Sequence, residues 1–312
     1  MVPEAQSVTA PWREILDYSF PAGWSGPTAV GERIRACCSA LERGEILYFS
    51  SLPYDFTPST IEFLLAQRRG DSRLHKNISY RPTQDLLRGA EGDAATQARL
   101  HQIMRDYSAA VVQFAAALLA PYSGQWKLDY ASFRPLEEAG RNLPLHKRND
   151  LLHVDAFPSR PTFGARILRV FTNISPKPRV WLTGERFTQL APRLAQPAGL
   201  DTVARPEAFA GAKRALRALG LPLVARSPYD RFMLRFHDWL KENTDFQQNS
   251  PRDQVSFPPL STWLVMTDCV PHAALSGQFA LEQTFIVPLE ACVAPEAAPI
   301  RVLEGLAGRK LQ

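Results

Sequence analysis

Apolar residues recur at helical spacing through Val30, Ile34, Cys37, Cys38 and Leu41, and the stripe ends at Gly44. A helix therefore stops there, and Ile46-Leu47-Tyr48-Phe49 follows as a buried strand. A second helix should follow Thr57-Pro58. From Asp93 to Leu119 the positions Leu100, Ile103, Met104, Tyr107, Val111, Phe114 and Leu118 keep one apolar face, with Asp93 as N-cap, so a long buttressing helix is expected. The period then changes. Trp126 to Arg134, Leu151 to Phe157, Arg166 to Ile174 and Arg179 to Thr183 are short runs bounded by Pro, Gly, Asn or Asp, and read as strands. Helices return at Arg186 to Ala195, Pro206 to Leu219 and Pro228 to Asn243, and Ser261 to Thr267 and Phe279 to Val287 again read as strands.

This order predicts an α+β fold in which helices buttress a double-stranded β-helix, a jelly-roll of cupin-like kind. One domain over residues 1–312 is expected, with a mainly helical part at 1–125 and a jelly-roll core at 126–290 that carries a helical insertion at 186–243. No internal repeat interrupts it, and Ala294 to Pro299 reads as a tail over the surface.

Composition narrows the class without changing the fold. The chain is 45% apolar and 21% charged, which is ordinary for a folded protein, and its net charge of +5 falls short of a nucleic-acid signature while suiting an anionic substrate or phospholipid surface. Its first residues hold no basic stretch followed by an apolar one, and the most apolar window, Ala109 to Pro121, is too short to span a bilayer; the expectation is a cytoplasmic protein. Cys37, Cys38, Cys269 and Cys292 form no C-x-x-C pair and read as reduced structural thiols.

The chemistry enters at His153-Val154-Asp155. Two residues apart on a strand, an imidazole and a carboxylate share one face, as a facial two-histidine, one-carboxylate iron site needs. The short motif has little specificity alone, so its third ligand decides. His237 and His272 are the histidines beyond Asp155. His237 lies in a helical pattern beside Asp238, where surface and capping roles are commoner. His272 follows the strand at Trp263-Leu264-Val265-Met266 and precedes a turn of small residues at 273–278, and is preferred.

A 2-oxoglutarate oxygenase must also hold the distal C5 carboxylate, for which a guanidinium supplies two parallel charge-assisted bonds. No arginine stands a dozen residues after His272, whereas Arg169 lies sixteen after His153 within an apolar strand. Pointing inward, it requires a bound anion or a buried carboxylate; pointing outward, it is solvated. Arg134, Arg179 and Trp181 lie on neighbouring expected strands.

Lys76-Asn77-Ile78-Ser79-Tyr80-Arg81-Pro82, Leu151 to Pro161, Arg166 to Ser175, and Thr262 to Pro288 with its Leu275-Ser276-Gly277-Gln278-Phe279-Ala280-Leu281-Glu282-Gln283-Thr284-Phe285 run together resemble the Kdo hydroxylases, which act on 3-deoxy-D-manno-oct-2-ulosonic acid of lipid A precursors in lipopolysaccharide biosynthesis. The resemblance implies Fe(II) on His153, Asp155 and His272, with 2-oxoglutarate and O2 as cosubstrates and Arg169, Arg134, Arg179 and Trp181 around the cosubstrate. It further implies hydroxylation at C3 of Kdo to give Ko, with release of succinate and CO2. Tyr80 and Arg81 are candidates for the substrate rim, and Lys147 with Arg148, or Lys213, Arg214 and Arg217, for lipid phosphates; ordinary solvated charge is the alternative for these cations. The expected partner is a lipid-linked anionic sugar, with no nucleic acid, and peripheral association with the cytoplasmic face of the inner membrane and homo-oligomer formation stay open. Two other readings stand beside this one: a cupin-type metal-dependent isomerase or hydrolase, and a non-enzymatic carbohydrate- or lipid-binding module with structural histidines.

Overall fold

The stripe from Leu100 to Leu118 folds as one long helix, α3 (Ala94–Leu118), whose first turn is closed by Asp93 accepting from the Thr96 amide at 2.7 Å. It is preceded by α1 (Pro27–Glu42), ended by Gly44 at φ +86°, and by α2 (Pro58–Leu65), capped by Thr57. This computed structural model describes residues 12–14, 27–50, 52, 55–67, 77–204 and 224–312. The expected helix at 206–219, with Lys213, Arg214 and Arg217, lies outside the described residues.

The strands are β1 (Trp12–Glu14), β2 (Ile46–Phe49), β3 (Ile78–Arg81), β4 (Leu86–Arg88), β5 (Lys127–Arg134), β6 (Arg166–Asn173), β7 (Arg179–Gly184), β8 (Arg252–Phe257), β9 (Ser261–Met266), β10 (His272–Ser276) and β11 (Ala280–Val287). They form two sheets. The large one runs β1-β2-β9-β6-β11-β5-β3-β4 and the small one β10-β7-β8, all pairs antiparallel except β1 with β2. β6, β9 and β11 lie at the middle of the large sheet and are buried on both faces, which explains their nearly unbroken apolar runs.

Register assigns the two faces. Arg169 pairs with Thr284 and Val265, and Phe171 with Glu282 and Trp263, so these side chains point toward the small sheet. Between the sheets Phe257 stacks on Trp263 at 3.9 Å, Trp263 on Phe171 at 5.3 Å, and Trp181 of β7 meets both edge-on. The opposite face carries Gln283, which accepts from the Ser108 hydroxyl of α3 at 2.7 Å, and Phe49, set edge-on against Phe114. The long helix is thus a buttress behind the large sheet.

The remaining helices are α4 (Phe187–Leu194), α5 (Leu200–Ala204), α6 (Pro228–Glu242), α7 (Thr244–Asn249) and α8 (Pro299–Ala307). α6 starts with a reciprocal cap between Ser227 and Asp230, and Asp230 also accepts from the Thr162 and Phe163 amides, fastening the helix to the loop before β6.

Three expectations need correction. Leu151 to Phe157 is not a regular strand: it is an extended loop joined to the small sheet by one bridge between His153 and His272. Part of the expected turn at 273–278 is β10, short and bulged between Ala274 and Ser276, so it lacks a readable period. The surface tail at 294–299 is a single 3-10 turn leading into α8, which buries Ile300 and Leu303. The large sheet also draws β1 to β4 from the N-terminal part. Among the described residues no helix is long and apolar enough to cross a membrane. All four thiols are free; Cys37, Cys38 and Cys269 are buried and Cys292 partly so.

Candidate metal centre and anion pocket

The extended loop and the start of β10 are tied by reciprocal backbone bonds, His153 N to His272 O at 3.2 Å and His272 N to His153 O at 3.0 Å. Two residues on, the Asp155 amide donates to Thr267 O at 2.8 Å, beyond the end of β9. Backbone bonds alone thus gather His153, Asp155 and His272, whose ligand atoms lie within 4.8 Å of one another. No other group of three or more His, Cys, Asp or Glu among the described residues could hold a metal ion. The two-residue spacing works as expected without a full strand, because the backbone stays extended.

The donor set fits a divalent cation. His153 Nδ1 meets Leu151 O at 2.7 Å and His272 Nδ1 meets Val270 O at 2.9 Å, so both Nδ1 atoms carry the proton and each Nε2 presents a lone pair. Burial, at 5% and 7% exposure, lowers both imidazole pKa values and keeps the rings neutral as ligands must be. Burial alone would raise that of Asp155, but the Arg169 guanidinium outweighs it and holds the carboxylate ionised. Arg169 Nε lies 3.0 Å from Asp155 Oδ2.

These three residues open into a cavity of about 430 Å³. Arg134, Arg169 and Arg179 form one wall, with Phe171 and Trp181. Sequence could not reveal how these guanidinium groups are held. Glu282 takes Arg169 Nη1 at 2.8 Å and Arg134 Nε at 3.0 Å, while Glu138 takes Arg179 Nη2 at 3.3 Å and approaches Arg134 and Arg141 at 3.7 and 4.0 Å. Arg169 therefore points inward and meets buried carboxylates. Burial acts against the charge of Glu282, but Arg134 and Arg169 overcome it and lower its pKa. Trp181 stacks on His272 at 5.3 Å and 24°, and its Nε1, like Arg179 Nε, is buried without a hydrogen-bond partner. Unsatisfied buried donors beside an arginine wall match an acceptor-rich anion.

The rest of the lining comes from α6, the segment at 141–149 and nearby residues. It includes His237, Lys241, Arg141, His146, Lys147 and Asn149. His237 is nearer the metal residues than a surface role suggests: its ring meets that of His153 edge-on at 4.8 Å, while its Nδ1 is engaged by Val154 O at 2.8 Å. It is not part of the ligand cluster. Tyr80 and Arg81 do not line the cavity; Tyr80 donates to Asp85 at 2.9 Å and Arg81 lies over Tyr130 at 5.0 Å, whereas Asn77 of the same segment is part of the lining. Lys147 lines the cavity, and Arg148 pairs with Asp150.

The family described as 3-deoxy-D-manno-oct-2-ulosonic acid (Kdo) hydroxylase matches residues 26–310. Among solved structures, the Kdo hydroxylase KdoO, a non-haem Fe(II) α-ketoglutarate-dependent dioxygenase, in complex with cobalt(II) superposes with a TM-score of 0.83 at 36% identity, covering 96% of this chain and 97% of its own. The KdoO complexes with α-ketoglutarate and Fe(III), and with succinate and Fe(III), give TM-scores of 0.82 and 0.81 at the same identity and coverage. No curated protein matches the chain.

Proposed function

The chain belongs to the Kdo hydroxylase family, and from that membership we propose that it hydroxylates C3 of a lipid-linked Kdo to give Ko, converting 2-oxoglutarate and O2 to succinate and CO2. It is a non-haem Fe(II)- and 2-oxoglutarate-dependent dioxygenase. The observation that carries the reading is a facial set of two neutral imidazoles and one carboxylate opening onto a wall of three arginines. The comparisons favour this over a cupin-type isomerase or hydrolase and over a non-enzymatic module.

His153, Asp155 and His272 would hold the iron, which supplies oxygen activation coupled to oxidative decarboxylation of 2-oxoglutarate. The rest is the work of the chain's residues. The Leu151 and Val270 carbonyls fix the tautomer and rotation of the two imidazoles, and Arg169 holds Asp155 in its charged form. Arg169 grips the C5 carboxylate of 2-oxoglutarate in this proposal, with Arg134, Arg179 and the Trp181 N–H as further donors. Phe171 and Trp181 give the cavity its apolar lining, with Trp263 and Phe257 stacked onto Phe171 in the core. Tyr80 and Arg81 remain rim proposals, on the segment whose Asn77 lines the cavity.

The test is direct. Purified protein with Fe(II), 2-oxoglutarate and a Kdo-bearing lipid A precursor should add one oxygen to the Kdo residue by mass spectrometry, with one succinate formed per product. An unmodified sugar with active decarboxylation would reject the substrate.

A further inference from the structure

Lys241 stands apart from the other cavity cations. It lies one helical turn beyond His237 on the face of α6 that meets the cavity, and is only 4% exposed. Its ammonium donates to His146 O at 2.9 Å, and among the described residues no carboxylate stands within ion-pair distance of it. A buried ammonium is costly to keep charged, and burial pulls its pKa down to about 8 even though the Asp155, Asp238 and Asp150 carboxylates act the other way from a distance. The arginine wall differs: Arg134, Arg141, Arg169 and Arg179 share the carboxylates of Glu138 and Glu282. Asp155 also pairs with Arg169, so each of these arginines has a carboxylate close by. Lys241 lines the same cavity and takes no part in that network of ion pairs.

We infer that Lys241 binds the C1 carboxylate of the sugar and thereby sets C3 against the metal centre. This rests on the Kdo reading above. In an oct-2-ulosonic acid the carboxyl carbon is bonded to C2 and the methylene carbon C3 is the next along, so the anion lies two bonds from the carbon proposed to react. The neighbouring residue one turn back, His237, touches the His153 ring, which places the Lys241 side of the cavity within reach of the metal residues. An ammonium at that position fixes the one charged group close enough to orient C3, while the rest of the sugar and its lipid extend along the lining at Asn77 and Lys147. Lys241 also fastens the segment at 145–147 through His146 O, a bond that a neutral donor can keep.

Lys241→Gln retains an N–H donor and removes the charge, and Lys241→Arg retains a charge. The experiment compares the parent and both variants on two acceptors, lipid-linked Kdo and the same lipid with the Kdo carboxyl reduced to an alcohol, with 2-oxoglutarate titrated separately. The parent should favour the carboxylate acceptor by about tenfold or more in kcat/KM, Lys241→Gln should lose most of that preference through KM of the acid, and its 2-oxoglutarate KM should stay within about twofold of the parent. Lys241→Arg should recover a substantial part of the preference. A Lys241→Gln variant that still prefers the acid as strongly as the parent overturns the assignment, as does an equal rise in both cosubstrate and sugar requirements, or an arginine variant no better than glutamine. If the parent oxidises neither acceptor while decarboxylating 2-oxoglutarate with another sugar, the Kdo reading itself fails.

Discussion

At the scale of single residues, the metal ligands and the arginine wall make separable demands. Replacing His153, Asp155 or His272 by Ala should abolish retention of Fe(II), or of Co(II) as a spectroscopic stand-in, because three protein ligands leave no redundancy. His237→Ala should retain the metal, since its Nδ1 is engaged by Val154 O and it stands outside the cluster. Metal analysis after gel filtration decides it: loss in His237→Ala with retention in His272→Ala would reverse the assignment. Arg169 already pairs with Asp155 and Glu282, and its proposed grip on the C5 carboxylate comes in addition to these. Arg169→Leu should raise the apparent 2-oxoglutarate requirement by about two to three orders of magnitude, the equivalent of roughly 3 to 5 kcal/mol for one lost partner of a buried charge pair. Arg169→Lys should fall between, since the point charge stays and the two-pronged geometry goes. Parent-like binding in both, with failure in Arg134→Leu or Arg179→Leu, would move the role to that arginine. The clustering of His153, Asp155 and His272 was legible in sequence because H-x-D spacing and the position after β9 are local facts. The partners of the arginines were not: Glu138 and Glu282 meet Arg179 and Arg169 only through sheet register and loop closure.

At the scale of elements, the long helix and the central strands were read closely, because α3 has seven aligned apolar positions and β6 and β9 are continuously buried. Short elements escaped. β8 and β10 have six and five residues with a mixed or bulged pattern, and the loop at 151–157 mimics a strand because Leu152, His153, Val154 and Asp155 are all buried. Between β10 and β11 stands Gly277 at φ +126°, where an added Cβ would lie 2.7 Å from Arg179 Cγ and 3.1 Å from Arg179 Cα, and whose carbonyl accepts from Arg179 Nη1 at 3.0 Å. Gly277→Ala should therefore both strain this connection, at about 1 to 3 kcal/mol, and displace Arg179. The expected result is a lower denaturation midpoint together with a several-fold higher 2-oxoglutarate KM. Lowered stability with unchanged cosubstrate affinity would count against Arg179 as a binding residue.

At the scale of the whole molecule, the site belongs to neither sheet alone: Arg134 and Arg169 come from the large sheet, Arg179, Trp181 and His272 from the small one. The jelly-roll class was legible from the order of helices and strands, but the strand order was not, because hydrophobic period says which residues face inward and nothing about which strands are neighbours. The excess of positive charge, +5 overall with Lys147 in the cavity lining, is also a property of the whole chain. Turnover of a phosphorylated, lipid-linked acceptor should accordingly exceed that of free Kdo, and its KM should rise severalfold as salt shortens the screening length from about 10 Å at 0.1 M toward about 3 Å at 1 M. Equal, salt-indifferent turnover of free and lipid-linked sugar would sink that expectation. The paired backbone bonds between His153 and His272 carry a consequence for biogenesis. A nascent chain that has exposed His153 and Asp155 holds two of the three proposed ligands without a site, and the third arrives only when β10 has left the ribosome and closed onto that loop. Iron capture is thereby postponed until nearly the whole chain can fold around it, so that truncated or stalled products carry no oxygen-activating centre.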